Sequence, residues 1–148
     1  MDRLDEAREA GAPAATLHEL LDAALQALGV ALSMLPMEAA DDRAISHNVL
    51  AAVFSNAGDV DEALRHWREA IRCCEAYGDV FHAGHARYNI AVMLTREQRL
   101  PEALLYARAA LSNYESFGER AAGRVRQAQE LIAQIEAGLA QQPGGEDP

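Results

Sequence analysis

One stretch constrains the fold more than any other. It runs from Asp59 to Asp79, DVDEALRHWREAIRCCEAYGD, and returns forty positions later as Arg99 to Glu119, RLPEALLYARAALSNYESFGE. Glu62, Ala63 and Leu64 fall on Glu102, Ala103 and Leu104. Arg68 falls on Arg108, Ala70 on Ala110, Glu75 on Glu115 and Gly78 on Gly118. The near matches are conservative, as with Ile71 and Leu111 or Tyr77 and Phe117, and no gap is needed. A fixed period of this size implies stacked supersecondary units rather than one closed core.

The periodicity inside the units is helical. From Ala14 to Leu35 apolar residues recur at three and four, with Gly29 costing about 1 kcal/mol relative to alanine and Pro36 as the stop. Glu38 to Asp42 is polar, and Asp41 or Asp42 is expected to cap a helix reaching about Asn56, with Ile45, Val49, Leu50, Val53 and Phe54 on its apolar face. Gly58 suits a left-handed helix end and Asp59 the next cap. Helices are then expected over Val60–Tyr77, burying Ala63, Leu64, Trp67, Ala70, Ile71 and Cys74, over Val80–Arg96, and over Leu100–Phe117 with Pro101 in the first turn. A last helix runs from Glu119 to about Leu139. Alanine is frequent and β-branched runs are rare, so essentially no sheet is expected.

The order is helix, tight turn, helix, tight turn, repeated. Leu50, Ala51 and Phe54 occupy large, small and aromatic positions before the turn Gly58; Ala63, Trp67 and Ala70 follow on the next helix. In the second unit Ile90, Ala91 and Leu94 take the first-helix places, and Ala103, Ala107 and Ala110 the second. This pattern resembles the tetratricopeptide repeat family, in its longer form with a period near 40. Gln98 stands at the turn glycine, Ala107 at the place of Trp67, and Glu75 and Glu115 where a closing proline is common. The resemblance implies an all-α fold, a right-handed α-α superhelix of stacked helical hairpins. The division it suggests is a flexible arm at 1–13, a helical domain at 14–140 and a disordered tail at 141–148. Within the domain, 14–37 reads as a partial unit, 41–78 and 80–118 as full units, and 119–140 as a capping helix. Phe54 and Trp67 are expected to fill the space between consecutive units.

Function follows from the same resemblance: a non-catalytic adaptor or scaffold that binds a peptide or helix of another protein on its concave face. The first helices of such units line that face. Asn48, Ala52, Ser55 and Asn56 are expected there from the first unit, and His85, Tyr88, Asn89, Val92 and Arg96 from the second. In related modules an asparagine-and-lysine set clamps a C-terminal carboxylate; this sequence has no lysine, so that clamp is incomplete. A regulatory protein responsive to a ligand or peptide is an alternative. So is a self-association module forming a homodimer.

The formal charge of −10 argues against nucleic acid and against an anionic membrane surface. Arg120, Arg124 and Arg126 form a local basic patch, and Arg120 and Arg124 are candidate contacts for an acidic partner segment. Cys73 and Cys74 are adjacent, which disfavours a disulfide of ordinary geometry. With His82 and His85 they have a spacing that metals can use, but Cys74 matches core Tyr114 in the repeat. No metal or other cofactor is therefore expected. No phosphate-binding glycine loop, His-Glu-x-x-His or serine elbow occurs. The start, MDRLDEAREAG, lacks an apolar signal core, and a reduced cytoplasmic location is the default expectation.

Overall fold

The computed structural model describes residues 14–34 and 40–142. The arm at 1–13, Pro36 with the stretch around it, and the tail from 143 onward lie outside the described residues. The chain divides into two compact units, at Met1–Ala39 and Ala40–Pro148. The first contains α1, Ala14–Met34, which runs through Gly29 without interruption.

The second unit holds α2 (Ala40–Asn56), α3 (Val60–Ala76), α4 (Val80–Arg96), α5 (Leu100–Glu115), a 3-10 turn (Gly118–Ala121) and α6 (Ala122–Gln141). All described regular structure is helical. Each helix packs chiefly on its neighbours in sequence, α2 with α3, α3 with α4, α4 with α5 and α5 with α6.

Three turns share one construction. Gly58 has φ +84°, Gly78 φ +83° and Gln98 φ +59°. At the first, Gly58 N–H donates to Ser55 O at 3.1 Å and Asp59 N–H to Phe54 O at 2.9 Å. The same pair recurs as Gly78 to Glu75 and Asp79 to Cys74, and as Gln98 to Thr95 and Arg99 to Leu94. This is the Schellman arrangement, which satisfies carbonyls that the helix end leaves open. The next helix then starts on Asp59, whose carboxylate accepts from Glu62 N–H at 3.2 Å, or on Asp79, which accepts from His82 N–H at 3.0 Å. Arg99 has no such side-chain cap, and Pro101 starts α5 in its place.

Small residues set the helix spacing. Ala51, Ala63, Ala103, Ala107 and Ala110 are fully buried, and Ala70 nearly so. At Gly84 an added Cβ would come within 2.6 Å of the Asn113 Cβ, so α4 and α5 meet closely there. Trp67 lies in the main core with Ile90 and Leu94 of the following hairpin. Phe54 packs against the same core, and its ring also stacks on His66 of its own hairpin, centroids 5.5 Å apart. Ala107 sits in the same core as Leu131 and Ile135 of α6. A second cluster joins Ala110, Tyr114, Ala121 and Ala128, with Phe81 and Phe117 packed on it.

Three expectations need correction. Helix α2 begins at Ala40, so Asp41 and Asp42 lie inside its first turn and are not caps. Of the apolar face expected on α2, Leu50 is buried, whereas Ile45 and Val49 are 62% and 42% exposed. The last helix starts at Ala122, because the chain first makes the 3-10 turn after Gly118 (φ +63°).

Candidate functional site

The exposure of Ile45 has a geometric reason: α2 turns one stripe toward an open groove. Positions 41, 45, 48, 52 and 55 follow helical spacing and share that face. Helix α4 contributes the matching stripe through His82, His85, Asn89, Val92 and Arg96. Helix α3 supplies the floor with Trp67, Ala70 and Cys74.

The groove holds two hollows. One, of about 180 Å³, lies where α2 and α4 end, and is lined by Ala52, Ser55, Asn56, Asn89, Val92 and Arg96 over Trp67. Six of the nine residues expected on the concave face meet there. The other, of about 150 Å³, lies where the same helices begin. Asn48 and His85 line it, together with Asp41, Ile45, Tyr77, Asp79 and His82. Tyr88 lines neither hollow; it packs half-buried between the two core clusters.

Two hydrogen bonds fix side chains along the groove. Trp67 Nε1–H donates to Asn48 Oδ1 at 3.0 Å, so the carbonyl of Asn48 is already engaged and its amide nitrogen is the end left for a ligand. Arg96 Nη2–H donates to Ser55 Oγ at 3.1 Å, linking α4 to α2. A guanidinium has further N–H groups, so Arg96 keeps capacity for a carboxylate or a peptide carbonyl. Asn89 faces the same hollow with no side-chain bond among the described residues.

The chemistry at the other hollow is that of a recognition surface. Burial, with Asp79 adding to it, pushes the Cys74 thiol up to about 11, so it stays protonated and unreactive near neutrality. His82 Nδ1 lies 2.6 Å from Asp79 Oδ2 at the surface. His85 is held below its ordinary range by burial, then by Arg124 and His82. Among the described residues, no group of three or more His, Cys, Asp or Glu side chains is placed to hold a metal ion.

The basic patch lies apart from the groove residues in sequence, although Arg124 acts electrostatically on His85. The Arg120 guanidinium sits 5.6 Å from the centre of the Phe117 ring, and Arg124 Nη1 donates to Gln127 Oε1 at 3.3 Å. Asp41, Ile45, Trp67, Tyr77 and Asp79 are groove residues that sequence reasoning left out. The first two were within reach, since the stripe through Asn48 and Ala52 extends to Ile45 and Asp41 by steps of three and four. Trp67 was assigned to the core, and it serves both roles.

No helix among the described residues is long and apolar enough to cross a membrane. No curated protein and no solved structure gives a significant match to the chain. A family model does: the tetratricopeptide repeat matches residues 42–116, half of the chain, from the first turn of α2 to the end of α5. Members of that family are generally protein–protein interaction modules. Two consecutive hairpins with one turn construction, alanine-mediated crossings and a groove between their first helices agree with that match, and the chain belongs to the tetratricopeptide repeat family.

Proposed function

We propose that this protein is a non-catalytic adaptor that holds an extended segment or short helix of a partner protein in the groove between α2 and α4. The observation that carries the reading is the 180 Å³ hollow, lined by Asn56, Asn89 and Arg96 over a largely buried Trp67. Polar side chains there can pair with a peptide backbone, and Ala52 and Val92 supply apolar contact. The walls are helices already fixed by core packing, so little ordering cost falls on the binder. With this reading go repeat units at 41–78 and 80–118, a capping role for 119–140, and a cytoplasmic setting.

Trp67 is the only tryptophan in the sequence, so its emission reports on the groove. Partner proteins captured from lysate of the source cells, and peptides cut from them, should shift or quench that emission. The double variant Asn89→Ala with Arg96→Ala should weaken binding about tenfold or more with unchanged helicity, as loss of two polar anchors predicts. Partners retained by the double variant at wild-type affinity, with Trp67 emission unmoved, would sink the groove as the binding site.

A further inference from the structure

The two ends of the groove differ in chemistry, and the difference selects a ligand. At the end where α2 and α4 begin, the hollow of about 150 Å³ has apolar walls in Ala44, Ile45, Ala70 and Ala86. Cavities of about this size take a benzene-sized group. Ile45 is 62% and Tyr77 51% exposed at its mouth, where they form an apolar rim. Exposed apolar surface gathered around a hollow marks an interaction site more often than scattered single residues do.

The charge at this mouth is negative. Asp41 and Asp79 both line the hollow. Asp79 is partly engaged, by His82 Nδ1 and by its cap bond to His82 N–H. Asp41 makes no ion pair or side-chain hydrogen bond among the described residues. Asp42, also in the first turn of α2, does not line the hollow. The start of each helix offsets only about half a unit charge. Arg43, the nearest cation in sequence, acts on His47, and Arg124 acts on His85 in the lining of the hollow. Tyr77 lines the same hollow as Asp79 and Asp41, and desolvation, then these two carboxylates, hold its phenol above the ordinary range. An exposed phenol beside two carboxylates suits a lysine or arginine head, by charge and by contact with the ring face. The whole chain, at −10, favours a basic partner in the same direction.

We propose that the groove is a docking site for a basic–apolar partner segment. A bulky aliphatic side chain fills the hollow between Ile45 and Tyr77, and an adjacent lysine or arginine lies against Asp41 and Asp79. The segment then runs toward Asn89 and Arg96, which hold its backbone or a carboxylate. This rests on the groove reading above. From Asp41 to Asn56 the axis of α2 rises about 22 Å, which six or seven extended residues span. The motif is therefore short, with its cation and any carboxylate at opposite ends.

A phage library of random dodecamer peptides, panned on the full chain, tests this. Enriched peptides are then measured by fluorescence anisotropy and by Trp67 emission at low and physiological salt. Enriched sequences should pair Leu, Ile or Met with a neighbouring Lys or Arg, and bind more weakly as salt rises. Asp41→Lys should weaken them about fivefold to tenfold, and Asp41→Asn, which keeps the shape of the first turn, less but in the same direction. Peptides that move Trp67 emission but show no excess of basic residues, or ignore both Asp41 variants, overturn this inference and leave the groove reading standing. Peptides that bind without moving Trp67 emission, or no enrichment at all, overturn both.

Discussion

His66 can serve its two neighbours in one protonation pattern only. Arg65 Nη2 lies 3.0 Å from His66 Nε2, and a guanidinium only donates, so Nε2 carries the lone pair. His66 Nδ1 then bears the hydrogen and donates to His47 Nδ1 at 3.0 Å. That leaves the proton of His47 on Nε2, buried and without a partner. His47 is 5% exposed and His66 6%. Burial first, then His66, with Arg43 and Arg65 in the same direction and Glu69 opposing, lowers His47 to about 4. Burial and Arg65 likewise lower His66. A proton on His47 would set donor against donor at the Nδ1 contact. Between the ordinary histidine value of 6.5 and about 4, the unfolded chain therefore binds a proton at His47 that the folded chain refuses. Stability is full above that window and falls as pH drops through it. The loss from His47 is on the order of 3 kcal/mol. Thermal melts from pH 7.5 to pH 4 should show the midpoint falling with acidity, and the double variant His47→Leu with His66→Leu should flatten the curve over that range. An unchanged slope in the double variant would assign the acid lability to His85 and to carboxylates instead. The pair was not legible in the sequence. The two histidines are nineteen positions apart, and a polar residue on a buried stripe looks the same whether or not a second one faces it.

At the level of elements, turn geometry was largely legible and helix faces only partly. The turns at Gly58, Gly78, Gln98 and Gly118 are legible in the sequence, the left-handed form only at Gly58, and the structure shows a positive φ at all four, at steps of twenty. Gln98 holds a conformation that costs an L-residue about 1–2 kcal/mol, and glycine would relieve it at some cost in unfolded-state entropy. Gln98→Gly should therefore raise stability by about 0.5–1 kcal/mol in urea unfolding, whereas strain absorbed elsewhere would show as no gain. Gly84 predicts the opposite sign. Its missing Cβ faces Asn113, whose Nδ2 donates to Val80 O at 2.9 Å and whose Oδ1 accepts from Arg87 at 3.0 Å. Arg87 also pairs with Glu75, so the crossing ties α3, α4 and α5 together. Gly84→Ala should destabilise by about 1–3 kcal/mol despite alanine's better helix propensity; a neutral result would mean that α4 and α5 can part without loss. The exposure of Ile45 has one cause. Apolar periodicity shows that a helix has an apolar face, but not whether that face meets another helix or an open groove.

Over the whole molecule, the repeat identified the family because neighbour-on-neighbour packing writes itself into the sequence at a fixed period. Six of nine expected groove residues gather in one hollow, since the stripe on a first helix follows from spacing alone. The acidic, apolar end of the groove was not legible, because it needs Tyr77 and Asp79 from the turn between α3 and α4, and that turn's placement depends on its left-handed glycine. The same turns bear on how the chain acquires its structure. The described side-chain bonds that reach farthest, Arg68 to Tyr106 and Arg96 to Ser55, span 38 and 41 positions. No large loop has to close before contacts form, so the search is local and fast, and it can begin at any hairpin and spread. During synthesis each hairpin has its own partners as soon as its second helix clears the ribosome, and each new one folds against a template already in place.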